Sequence, residues 1–125
     1  METLLLQNRS FILDQLDVQH VVADGSYLQT ATANRKGCQI DYLIQTKTNS
    51  LLLCEFKFKR RTIGMEIIDE INQKINRLVI PRGIGVVPVL FHSGEVNDRV
   101  FESQFFYKTI DLENVIYDHI SPPRW

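Results

Sequence analysis

The chain has only two cysteines, Cys38 and Cys54, and neither a Cys-x-x-Cys nor a His-x3-His spacing occurs in it. That scarcity leaves no zinc motif and no disulfide framework, so both thiols read as reduced core residues. No apolar run is long enough to span a bilayer before a charge interrupts it, and the opening residues do not form a secretory signal. A cytoplasmic protein without a membrane partner is expected. The three histidines, His20, His92 and His119, show neither triad nor ligand spacing, and His92-Ser93-Gly94 lacks the flanking glycines of a nucleophile elbow. No Gly-x4-Gly-Lys-Ser/Thr stretch is present, so this chain is not itself an ATPase. An excess of one charge is missing as well: 14 Lys and Arg stand against 15 Asp and Glu, a formal net charge of −1. That balance argues against strong non-specific nucleic-acid binding by this domain alone and implies help from a partner.

What is present suffices for one compact unit. A length of 125 residues with 44% hydrophobic content supports a single core-bearing domain spanning 1–125, and no internal repeat is visible. Leu4 to Leu6, Phe11 to Leu13 and Leu16 suggest opening helical turns with a broad apolar face. Asp24-Gly25 predicts a turn into a first strand, 26–33, and Asn34-Arg35-Lys36-Gly37 a turn into the second. Ile68, Ile71, Ile75 and Leu78 recur at helical spacing, with Glu66, Glu70, Lys74 and Arg77 on another side, and this helix ends before Pro81. The apolar run 84–91 suits a buried strand, parallel to its neighbour because a helix joins them. A polar loop, 92–98, leads to an aromatic-rich stretch, a short strand and a brief helix that Asp111 caps.

The chemistry concentrates on two apolar-alternating segments. In 38–45 the even positions are Cys, Ile, Tyr and Ile, while Gln39 and Asp41 are odd; in 51–59 the even positions are apolar, while Glu55, Lys57 and Lys59 are odd. This period of two predicts strands with one greasy and one charged side. The polar segment 46–50 between them predicts an antiparallel hairpin. A three-residue loop, 48–50, pairs Asp41 with Lys57; a five-residue loop, 46–50, pairs Asp41 with Glu55. Asn49 tolerates the unusual backbone angle such a turn needs.

Directly opposed side chains lie about 4.5–5.5 Å apart at Cβ and diagonal ones roughly 7–8 Å, so either register lets two carboxylates reach one ion. Mg²⁺ prefers hard oxygen ligands and keeps several waters, which two carboxylates and a backbone carbonyl accommodate. An ammonium beside them can orient water or offset charge developing on a phosphodiester. The same residues also read as an ordinary surface pair worth about 0–1 kcal/mol.

Gly37-Cys38-Gln39-Ile40-Asp41, a hairpin, then Leu53-Cys54-Glu55-Phe56-Lys57 resembles the motif of the PD-(D/E)XK nuclease superfamily, which includes restriction enzymes and Holliday-junction resolvases. The likeness is closer to the nuclease-like domain at the C-terminus of many bacterial and archaeal AAA-type ATPases, and it covers about 4–116. It implies a restriction-endonuclease-like α/β fold with an αβββαβ core and a mixed central sheet flanked by helices. It also implies Asp41 and Glu55 as catalytic metal ligands, the Phe56 carbonyl as a third ligand, Lys57 as the catalytic lysine, and Mg²⁺ or Mn²⁺ as cofactor.

Auxiliary positions are Glu2, the one acidic residue near the start; Gln39, where many relatives carry Glu; and Gln73 on the helix that follows. Lys59, Arg60 and Arg61 continue the densest basic cluster and are candidates for nucleic-acid contact. The function implied is metal-dependent hydrolysis of nucleic acid, DNA foremost, with an AAA-type ATPase partner and a homodimer as further expectations. The competing reading is a silent nuclease-fold module that docks on DNA, a protein or an ATPase, a choice that fold analogy does not settle.

Overall fold

The computed structural model describes residues 9–18 and 20–113. They form α1 (Arg9–Leu16), β1 (Val21–Gln29), β2 (Cys38–Thr46), β3 (Ser50–Phe58), α2 (Glu66–Arg77), β4 (Gly85–Ser93), α3 (Asp98–Glu102) and β5 (Lys108–Asp111). The strands make one mixed sheet in the order β1-β2-β3-β4-β5. The first two junctions are antiparallel and the last two parallel. The α/β class, the meander, the helix and the parallel return strand therefore all follow the expected order. Among the described residues no helix is long and apolar enough to cross a membrane.

Placing β3 at the centre of the sheet changes how its alternation must be read. Residues Leu51 through Phe56 are all buried, because helices cover both faces of the sheet. Ile12 and Leu16 of α1 pack with Tyr42, Ile44, Leu52, Cys54, Phe56 and Phe91 on one side. Ile67 and Ile71 of α2 pack with Cys38, Ile40, Leu51, Leu53 and Leu90 on the other. The expectation of a greasy side and a charged side is corrected: the odd face of β3 is apolar at Leu51 and Leu53 and turns polar only at Glu55 and Lys57.

β2 departs from its alternation too, and the reason is a bulge. Gly25 pairs with Leu43 but Tyr27 pairs with Ile40, so β2 advances three residues while β1 advances two. Asp41 and Tyr42 together face Ser26, which reverses the inward side of the strand. Cys38 and Ile40 thus join the α2-side core, whereas Tyr42 and Ile44 join the α1-side core. The two cysteines, both free and buried, lie on opposite faces of the sheet.

The first strand begins earlier than its turn residues suggest and ends before Ala33. Asp24 and Gly25 sit inside β1, because each has a local solution there. The Asp24 carboxylate accepts from Arg9 Nε at 2.6 Å and from the Tyr42 hydroxyl, and Gly25 takes φ 152° at the register shift. The Arg9 hydrogen bond holds the Asp24 carboxyl below its ordinary range, and the Tyr42 hydrogen bond adds to this against a partial burial. Tyr42 titrates above its ordinary value through burial and through that same hydrogen bond. The turn lies further on, where Thr32 and Arg35 exchange backbone hydrogen bonds of 3.0 and 3.4 Å.

Helix α2 follows the expected spacing, with Glu66 and Asp69 in its first turn and Lys74 and Arg77 in its last, complementing the helix dipole. Helix α3 begins where a loop was expected. Its signal is Asn97, whose Oδ1 accepts the Arg99 N–H at 2.9 Å as an N-cap. Asp111 Oδ1 accepts from the Glu113 backbone at 3.0 Å, and the brief helix expected after it runs outside the described residues.

Gly37 is required by close approach. A Cβ there would lie 2.7 Å from the Gln29 carbonyl oxygen and 3.0 Å from the Ala31 nitrogen, both backbone atoms that cannot swing away. Gly37→Ala is expected to cost about 1–3 kcal/mol, as overpacking does. Urea unfolding checks this, and an unchanged midpoint would show that the β1–β2 turn yields freely.

Candidate active site

The β2–β3 ladder runs Tyr42↔Cys54, Leu43↔Leu53, Ile44↔Leu52 and Gln45↔Leu51. This is the register of the five-residue alternative, in which Asp41 falls opposite Glu55. The three-residue alternative, 48–50, is not the one formed. Asn49 takes φ 60°, as its place in the turn predicted.

Pairing stops at Tyr42 because the bulge carries Asp41 out of the ladder. The Asp41 carboxylate instead accepts the Phe56 backbone N–H, at 2.9 Å, so a side-chain oxygen stands in for a strand carbonyl. Cys38 to Asp41 and Glu55 to Phe58 have no Cα partners in each other. The two strands fork, with Asp41 in the crotch and Glu55 and Lys57 on the arm beyond it.

Glu55 is 3% exposed yet carries a carboxylate, and helix α2 makes that tolerable. Lys74 Nζ lies 2.9 Å from both Glu55 oxygens, and Lys57 Nζ is 3.7 Å from one of them. Lys57 also pairs with Glu70 at 2.9 Å. Burial raises the Glu55 pKa; the Lys74 hydrogen bonds oppose that shift without cancelling it, and the Asp41 charge adds to it. For Lys57, burial pulls the ammonium down, but the Glu70 hydrogen bond and the Glu55 and Asp41 charges outweigh it, so its pKa is raised. Lys57 stays protonated through the neutral range.

A raised carboxyl pKa sets the sign of a pH effect. The native state holds the Glu55 proton more tightly than the unfolded chain, so its contribution to stability is fully present below the ordinary value of 4.5 and is lost as pH rises through the raised folded value. The melting temperature of the wild type relative to Glu55→Gln is therefore expected to fall as pH rises from below 4.5 and then level off. A difference independent of pH would contradict that ordering.

The remaining candidates are more scattered. Gln39 is exposed at the start of β2, where the strand pairs with β1 but not with β3, and Gln73 is exposed on α2, where it lines a neighbouring cleft. Lys59, Arg60 and Arg61 are exposed just past β3, and Arg60 lines a different cavity with His92 and Asp111. Glu2 lies outside the described residues. Of the histidines, His92 is buried in β4 with Nδ1 2.9 Å from the Gly94 carbonyl, His20 is exposed, and His119 lies outside the described residues.

Sequence reasoning missed Glu70 and Lys74 as members of the site. Their signal was present: they stand three and seven positions after Ile67 and so flank the buried stripe of α2. Those are the places from which a long side chain reaches the sheet face that α2 covers.

No family model, characterised protein or solved structure matches this chain. Among the described residues no third His, Cys, Asp or Glu joins Asp41 and Glu55 as a metal-ligating cluster. The donor set nonetheless fits a hard cation, because two carboxylates and a backbone carbonyl supply oxygen only. One cation, the Lys74 ammonium, already bridges both Glu55 oxygens.

Proposed function

We propose that this is a restriction-endonuclease-like domain that hydrolyses phosphodiester bonds of nucleic acid, with DNA the foremost substrate and Mg²⁺ or Mn²⁺ the cofactor. The observation that carries this reading is the fork. A bulge frees Asp41 from the ladder beside Glu55, and Lys57 follows on the same arm. Asp41, Glu55 and the Phe56 carbonyl would hold the ion, which supplies Lewis acidity at the phosphate and acidifies water. Lys57, kept protonated by Glu70 and Glu55, presents a fixed positive charge where negative charge develops on phosphorus-bound oxygen. Lys74 keeps the buried Glu55 charge satisfied, a role that a bound divalent ion would share. An AAA-type ATPase as partner and self-association to cut both strands belong to the same reading, on resemblance alone.

The docking-module reading keeps one specific support. Glu55 is 3% exposed and doubly bonded to Lys74, which is also what a retired site closed by an ion pair would show. Cleavage decides between them. Single-stranded, duplex and branched DNA incubated with Mn²⁺ should yield products that EDTA suppresses. Lys57→Met keeps the apolar stem and removes the charge, so cleavage is expected to fall about 10²–10³-fold, as for loss of one transition-state donor. Undiminished cutting by that variant would remove Lys57 from the mechanism.

A further inference from the structure

A second feature stands beside the fork and is absorbed by neither reading. Between the β1–β2 turn and the C-terminal half of α2 lies an open cleft of about 690 Å³, lined by Asn34, Arg35, Lys36, Gln73, Asn76 and Arg77, with Leu78 and Val79. Among the described residues no carboxylate lines it, although acidic residues outnumber basic ones in the whole chain. Among the described residues none of its three cationic side chains is ion-paired, and all three are exposed.

The walls are fixed from beneath by one buried side chain. Gln29, 4% exposed, donates from Nε2 to the carbonyls of Lys36 at 2.8 Å and Arg77 at 2.6 Å, and its Oε1 accepts the Val79 N–H at 2.8 Å. One residue thus clamps the turn that carries Arg35 and Lys36 to the helix end that carries Arg77. Thr32 and Arg35 close the turn by their own backbone bonds. The negative end of the α2 dipole points at this cleft and by itself would repel an anion. Gln29 Nε2 donates to the Arg77 carbonyl and the Leu78 N–H to that of Lys74, and the Arg77 guanidinium with its Arg35 and Lys36 neighbours sets positive charge against that helix end.

The cleft and the fork share helix α2. Gln73 precedes Lys74, and the charges of Lys74 and Arg77 both act on Cys38, the first residue of β2, partly offsetting the burial that raises its thiol pKa. We propose that this cleft seats the phosphodiester backbone of a nucleic-acid strand, with Arg35, Lys36 and Arg77 on phosphates and Asn34, Gln73 and Asn76 donating to phosphate or sugar oxygens. The proposal rests on the nuclease reading for what happens at the fork, but binding at the cleft needs neither metal nor cleavage. Phosphate contacts of this kind position a strand without reading its sequence.

The test is fluorescence anisotropy with a labelled 20-nucleotide DNA, single-stranded and duplex, in EDTA, across a salt series. Each lost phosphate contact lowers the slope of log affinity against log salt by about 0.9 for duplex and about 0.7 for single strands. Arg35→Ala/Arg77→Ala is expected to lower it by roughly twice that amount and to weaken binding about tenfold or more at low salt. Lys47→Ala/Arg99→Ala, which removes two exposed charges outside the cleft, should keep the wild-type slope. An unchanged slope in the cleft variant, no binding by the wild type, or equal binding of poly-glutamate would each overturn the proposal, the last pointing to an acidic protein partner. Cleft-dependent binding without cleavage would sink the nuclease reading and leave the cleft standing; cleavage with an unchanged slope would do the reverse.

Discussion

Asp41→Asn is expected to lower metal-dependent cleavage by at least about a hundredfold while the melting temperature moves little. Changes in groups that merely support a metal ligand already cost about 10–100-fold, and Asp41 is placed to be a ligand itself. Asparagine is the informative replacement because the Asp41 carboxylate also accepts the Phe56 N–H. An amide oxygen preserves that hydrogen bond and discards only the negative charge. Asp41→Ala would in addition orphan a donor at Phe56, which is 5% exposed, and an unsatisfied buried group costs about 1–3 kcal/mol. Lost cleavage in that variant could therefore reflect a distorted fork. Cleavage by Asp41→Asn at the wild-type rate would remove Asp41 from the site.

Lys74→Ala is expected to destabilise the protein and to make its stability depend on Mn²⁺. Glu55 is 4% exposed at its side chain and Lys74 24%, so their pair stands between the buried and the surface cases. Breaking a buried pair costs about 3–5 kcal/mol and a surface pair about 0–1, which places this loss at about 1–3 kcal/mol. A divalent ion can then satisfy Glu55 without displacing an ammonium. An ion that binds only the native state adds about 2.7 kcal/mol at a hundred times its dissociation constant. Thermal melts should show a larger Mn²⁺ shift for Lys74→Ala than for the wild type. Equal shifts would mean that Lys74 and the ion do not compete for Glu55.

Much of the architecture was legible because it rests on local rules. Turn chemistry at Asn49, the apolar stripe of α2 and the continuous run that became β4 each state their own element. The fork was legible only in part. Alternation brought Asp41, Glu55 and Lys57 to one region and left two registers open, since Lys47-Thr48-Asn49 can close a hairpin in more than one way. The bulge that frees Asp41 was not legible at all, because it arises from mispairing with β1, a strand whose span turn signals at Asp24-Gly25 disguised. Gln29 was hidden for a similar reason. Its partners lie 7, 48 and 50 residues away in sequence, so no periodicity reports them.

Whether the fork is a divalent-cation site is decided by calorimetric titration of Mn²⁺ into the wild type and Asp41→Asn, each alone and with the 20-nucleotide DNA, with no need to find the scissile substrate. Saturable binding by the wild type, strengthened by DNA, and its loss in Asp41→Asn under both conditions are expected. Binding of equal strength in the two proteins, or none in either with DNA present, would contradict a divalent-cation site at the fork.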